Sequence, residues 1–425
     1  MNRPQLFIIS ITLAVLLTSC NDEYVFQLIP YQEREPSKTA IEKIDFYLET
    51  SVSMKGYVNP SAVGDYPLKD IVPYLITDLD NRYDDITSIY TITNKPKEFT
   101  GSRDEFYMQL RKGALLGGRS SKLQHVFGSI IDSIQPNSVS ILVSDCILDL
   151  GSENVLTQGS LVTTKIYKHL TNKRNIGVAV FKYLSDFNGT YYYDRKNTGS
   201  TNLRRRPFYN VILKKRPFYI WVMGDKEAVR TLLSEHILEG YDKAYTYNIA
   251  MDDVPYTLLE EPKSGKIVLN PENHTVLIKE AAKNFPAQFA IGLNFENSPS
   301  FFEPLFMDTS NYEITPAHLD ESILLEPKNK QLQNKKKPSL LLSSGYTHFL
   351  QSSFMDLDPN TKEVTIRINN ALPVWYDSTN LTDDLGVSAV ALEHKTFAFK
   401  FITDAFEKTF RTREPLLEFK LVKQQ

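Results

Sequence analysis

The sequence predicts an α/β fold on a mainly parallel, doubly wound sheet with helices on both faces, followed by a mainly antiparallel, β-sandwich-like domain. Three observations predict it. From Ile41 to Ala244, apolar runs of strand length alternate with segments of helical periodicity. Within that region SVSILVSD (Ser138–Asp145) is a β-rich run that needs cover on both faces, as strands of parallel sheets do. After about Tyr245 the helical period fades, and short β-rich runs lie between Pro, Gly and Asn. At 425 residues the chain is too long for one hydrophobic core, so two domains are expected, 41–244 and 245–425.

The elements follow in order. IDFYLE (Ile44–Glu49) is a short apolar strand, and the helix in Leu68–Tyr83 puts Ile71, Leu75 and Leu79 on one face. Pro73 in that segment is tolerable only near the first turn, because it lacks an N–H. ITSIYTI (Ile86–Ile92) is the next strand, and Ser102–Gly113 the next helix. A third helix in Ser121–Ile134 has Leu123, Phe127, Ile130, Ile131 and Ile134 as its core face. Helices in Ser160–Leu170 and Asp225–Leu238 flank strands in Asn175–Leu184 and Arg216–Gly224. Residues about 184–215 between those strands read as a hairpin insertion. Its basic cluster Arg204, Arg205, Arg206, Lys214, Lys215 and Arg216 reads as a charged, solvated edge, with anion binding as the alternative. In the second domain, strands are expected in Val254–Glu260, Gly265–Asn270, His274–Lys279, Ala287–Phe295, Ser339–Ser344 and Glu363–Asn370. Near the end, Phe397, Phe401, Ala405 and Phe406 recur at helical spacing and predict a C-terminal helix packed on the sheet.

Composition narrows the partners. Apolar residues at 42% and charged residues at 23% fit a folded chain, and a net charge of −3 speaks against nucleic acid or broad electrostatic membrane binding. The first residues are an address. Arg3 precedes LFIISITLAVLL (Leu6–Leu17), which is short for a membrane span, and LTSC (Leu17–Cys20) resembles the lipobox of bacterial lipoproteins. That resemblance implies a signal peptide over 1–19, a lipidated Cys20, and a tether over 20–40. Asn21 after the cysteine implies outer-membrane delivery, so the expected location is the bacterial cell envelope. Cys146 then has no intrachain partner, and no disulfide framework is expected.

One stretch raises a chemical question. In LETSVSMKGY (Leu48–Tyr57), Glu49 closes an apolar strand and is followed by Ser51 and Ser53. In an open α/β sheet, ligands collect beyond the C-terminal ends of strands. GGRSSK (Gly117–Lys122) and VSDC (Val143–Cys146) should reach the same edge. These three segments resemble the von Willebrand factor type A fold and its metal-ion-dependent adhesion site, which combines an Asp-x-Ser-x-Ser loop, a Thr and an Asp. The separations are of the family's kind, 67 residues from Ser53 to Ser120 and 25 from Ser120 to Asp145. The resemblance spans about Ile41 to Gly240. It implies that Glu49, Ser51, Ser53, Ser120 and Asp145 ligate Mg²⁺ or Mn²⁺, leaving a position for a partner's carboxylate. The chain departs from the pattern at three places. Glu49 replaces Asp, Ser120 replaces Thr with Ser121 as the alternative ligand, and Cys146 replaces Gly. A metal-free edge kept for structure or for a metal-independent contact stays open beside the metal reading.

Catalytic motifs are missing from the sequence: it has no HExxH, CxxC, Gly-x-Ser-x-Gly or Walker loop. The expected role is therefore not enzymatic. It is that of a lipid-anchored envelope protein binding a protein or acidic ligand at the metal edge, with its oligomeric state open. Two alternatives stand beside it, a metal-dependent hydrolase or phosphate-handling enzyme subunit, and a structural component of an envelope assembly.

Overall fold

The first eight strands among the described residues are β1 (Tyr24–Leu28), β2 (Lys43–Glu49), β3 (Thr87–Ile92), β4 (Pro96–Glu98), β5 (Ser138–Ser144), β6 (Ile176–Tyr191), β7 (Phe208–Asp225) and β8 (Lys243–Tyr247). They come from a computed structural model, which describes residues 24–31, 40–118, 121–150, 154–173, 175–193, 208–251, 254–261, 263–281, 285–296, 298–316, 324–327, 345–355, 357–358, 360–384, 387–410 and 415–424. The signal segment, Cys20, Ser120, Arg204–Arg206 and the expected strand Ser339–Ser344 lie outside the described residues.

Strands β2 to β8 form one seven-stranded sheet in the order β4-β3-β2-β5-β7-β6-β8. Only β2 with β3 and β2 with β5 run parallel; the pairs β3–β4, β5–β7, β6–β7 and β6–β8 are antiparallel. This corrects the expected mainly parallel, doubly wound sheet. The physical reason is the connection between β6 and β7. Parallel neighbours need a crossover of a dozen or more residues, usually a helix, and nothing of helical period separates these two strands. They close as a hairpin, paired from Ile176↔Asp225 out to Tyr191↔Phe208. Within the stretch read as an insertion, residues 184–191 and 208–215 are thus the outer parts of two core strands.

Helices α1 (Leu68–Arg82), α2 (Arg103–Arg111), α3 (Leu123–Ser133), α4 (Val155–Thr171) and α5 (Lys226–Ser234) cover the sheet. The starts of α2, α4 and α5 are written locally. Ser102 accepts from the Glu105 N–H at 3.2 Å, Asn154 from the Leu156 N–H, and Asp225 from the Glu227 N–H, each satisfying a donor the first turn leaves open. Alternation divides the strands between two cores. Phe46, Leu48, Ile141 and Val143 face the layer of α1, α2 and α5, whereas Tyr47 and Leu142 face α3 and α4.

The second core also holds Trp375, Phe399, Ile402, Ala405 and Phe406. The helix Lys400–Thr409 lies beside α4, with the Thr163 hydroxyl donating to the Phe401 carbonyl at 2.7 Å. Phe406 stacks on Trp221 at 4.8 Å between ring centroids. The C-terminal helix expected within the β-rich unit thus completes the helical layer of the α/β sheet.

Apart from a two-stranded parallel pair, Asn380–Leu381 with Thr396–Phe397, the remaining strands form two antiparallel sheets. One is six-stranded, with β1 between Thr275–Glu280 and Leu417–Lys423; the other has four strands, with Ala287–Leu293 beside His348–Phe354. Phe26, Ile278, Val364 and Leu421 of the first share one core with Phe289, Ile291, Leu350 and Phe354 of the second. Residues 24–28, expected within the tether, are therefore a strand inside that sheet. Among the described residues, no helix is long and apolar enough to cross a membrane.

Candidate functional site

The three loops meet at the end of β2. Strand β2 lies between β3 and β5, so its last residue, Glu49, leaves the sheet with neighbours on both sides. The chain then turns into a short 3₁₀ segment, Val52–Tyr57. Backbone hydrogen bonds join this turn to the second loop, with the Gly118 N–H donating to Thr50 O and the Val52 N–H to Gly118 O, both at 3.0 Å. A Cβ on Gly118 would stand 2.8 Å from the Thr50 carbonyl oxygen and 2.4 Å from Thr93 Cγ2, so the approach requires glycine. Gly118→Ala should cost about 1–3 kcal/mol of stability, as overpacking does, and should loosen the two loops together. Thermal denaturation checks the first effect, and amide hydrogen exchange at Val52 and Gly118 the second.

Glu49 is 1% exposed and is held by hydroxyls from both other loops. Ser121 Oγ donates to Oε1 at 2.6 Å, and Ser144 Oγ donates to Oε2 at 2.9 Å. Ser144 Oγ in turn accepts from the Cys146 N–H at 2.9 Å. The extra methylene of Glu49 carries its carboxylate into this pair of hydroxyls, where it fastens the loops. Ser51 and Ser53 bond each other at 2.8 Å through their hydroxyls.

Asp145 is 2% exposed, and its two oxygens differ. Oδ1 accepts from the Ile147 N–H at 3.2 Å, while Oδ2 is buried without a hydrogen-bond partner. Burial, and then the Glu49 charge, push this carboxyl up to about 7, against the downward pull of Arg216, the Ser53 hydroxyl and the Ile147 N–H. Cys146 takes a left-handed φ of 54°, the conformation glycine adopts freely. Its buried thiol receives the Trp221 indole N–H at 3.3 Å, and burial pushes the thiol pKa upward.

Of the expected ligands, the structure brings Glu49, Ser51, Ser53 and Asp145 to one edge. Ser120 lies outside the described residues, and the neighbouring Ser121 bonds Glu49. Sequence reasoning assigned no role to Arg216, which it grouped with a solvated basic edge. The structure buries it to 1% exposure beside the site. The signal was its position at the head of the apolar run RPFYIWVMG, where a charge is costly unless it is satisfied.

The donor set is all oxygen, as a hard divalent cation prefers. Asp145 Oδ2 supplies a carboxylate oxygen without a hydrogen-bond partner, and Ser51 and Ser53 supply hydroxyl oxygens at the same edge, while both oxygens of Glu49 are taken up by Ser121 and Ser144. Among the described residues no group of three His, Cys, Asp or Glu side chains stands ready for a metal, so a cation here would lean on hydroxyls and water. No family model, no curated protein and no solved structure matches the chain.

Proposed function

We propose that the chain is a binding protein of the bacterial envelope. Its three-loop edge holds Mg²⁺ or Mn²⁺ and through it captures a carboxylate of a partner protein. Cys20 supplies the lipid anchor. The observation that carries the reading is the orphaned Asp145 Oδ2, a buried acceptor at the meeting point of three polar loops. Such an oxygen is costly unless something donates to it or binds it. Asp145 would bind the cation directly, with Ser51 and Ser53 turning their hydroxyl lone pairs to it. Glu49, occupied by Ser121 and Ser144, would add charge and hold the loops in place.

Calorimetry on the full chain in detergent micelles tests this. A Mn²⁺ heat is expected, lost in Asp145→Ala and weakened at least about ten-fold in Ser51→Ala, the scale of losing one ligand. Absence of heat at millimolar Mn²⁺ and Mg²⁺ would sink the cation.

A further inference from the structure

The arm of the β6–β7 hairpin folds over the first loop. Phe187, Tyr191, Val211 and Leu213 from the arm are buried in the same core as Tyr57 of the 3₁₀ turn. The Tyr57 hydroxyl donates to the Pro217 carbonyl at 2.6 Å. Gly56 and Gly189 bring the two backbones together, since a Cβ on Gly189 would stand 2.9 Å from Gly56 Cα. This arm delivers Arg216. The β5–β7 register ends at Ser144↔Tyr219, so Asp145 leaves β5 alongside the strand on which Arg216 lies three residues before Tyr219. The guanidinium is packed against two rings, 4.8 Å from the Tyr191 centroid and 5.4 Å from that of Phe187. Its Nε and Nη1 are buried without hydrogen-bond partners, as is Asp145 Oδ2. A buried cation with free donors and a buried acid with a free acceptor thus belong to one cluster, which also holds Glu49.

We infer that Arg216 is the resident counter-ion of this acidic edge, so that its guanidinium and a divalent cation compete for Asp145, and the hairpin arm that carries it covers the loops. The competition rests on the proposed binding edge; the counter-ion role of Arg216, which acts on Asp145 through its charge and not through a hydrogen bond, does not. Two carboxylates and one arginine in the same cluster leave little net charge for a second cation.

Two measurements on the full chain separate these claims. In a double-mutant cycle at pH 8, Arg216→Met should lower the melting temperature by several degrees more in the native background than in the Asp145→Asn background. An Arg216→Met chain that folds only together with Asp145→Asn gives the same answer. Equal losses in both backgrounds, or failure to fold in both, overturn the inference. In calorimetry, Arg216→Met should bind Mn²⁺ at least about ten-fold more tightly than the native chain, because a repelling charge has gone. Unchanged or weaker Mn²⁺ binding by a folded Arg216→Met chain, with a native chain that binds, also overturns it. Should neither chain take Mn²⁺ while the cycle shows coupling, the arginine stands as the sole counter-ion and the cation reading falls.

Discussion

Asp145→Asn should abolish a fall in stability that the native chain shows between about pH 4 and pH 7. The sign follows from the carboxyl's own surroundings. Its value rises from the ordinary 3.8 to about 7 on folding, because burial and the Glu49 charge outweigh Arg216, the Ser53 hydroxyl and the Ile147 N–H. Across that window the folded chain binds more protons than the unfolded one, so stability declines as pH rises. The contribution is fully present below the lower value and gone above the upper one, with a total on the order of a few kcal/mol. Urea denaturation at steps between pH 4 and pH 8 measures it. The native chain should lose midpoint concentration across the window, and the Asp145→Asn profile should be flatter. Parallel profiles for both chains would show that Asp145 ionises in the folded chain as it does in water.

Phe406→Ala should cost about 3–5 kcal/mol, as truncating a fully buried aromatic does. Phe406 is packed among Trp221, Phe127 and Tyr247, with ring centroids 4.8, 5.7 and 5.6 Å away. The near-ultraviolet dichroism of the tryptophans should report the loss alongside chemical denaturation. The stronger form of the same expectation concerns residues 41–244 made alone. That fragment would expose the faces of α3, α4, Tyr219 and Trp221 that Phe399, Ile402 and Phe406 now cover. It should fail to unfold cooperatively, whereas the full chain should. A sharp thermal transition in the fragment would contradict the shared core.

What was legible in the sequence was local. The period of α3 put Leu123, Phe127 and Ile130 on one face because a helix repeats every 3.6 residues whatever it packs against, and all three are buried. The loops at Glu49, Gly118 and Asp145 were legible because each follows or precedes an element that periodicity defines. Strand direction was not legible, because an apolar run such as that in β7 reads the same whether its neighbour runs parallel or antiparallel. Nor does an amphipathic helix such as Lys400–Thr409 carry any mark of the sheet it will cover. Ser120 and Ser121 are chemically identical, so only the path of the loop places Ser121 on Glu49. Arg216 was misread because its cradle, Phe187 and Tyr191, is remote in sequence, and a lone charge beside Lys214 and Lys215 looks like part of a solvated run.

The place of β1 has a consequence in time. Phe26 pairs with Lys423, 397 residues further on, and Gln424 donates its N–H to the Val25 carbonyl. The helical layer over the α/β sheet likewise waits for Lys400–Thr409. The core under α3 and α4 and the core between the two antiparallel sheets cannot close until residues 400–424 have been made, so neither can fold while the stretches before them are still emerging. Contacts of such separation make for slow folding and prolonged exposure of apolar strand edges. The penalty of that architecture falls on the newly made polypeptide, whose apolar strands stay open until residues 400–424 arrive.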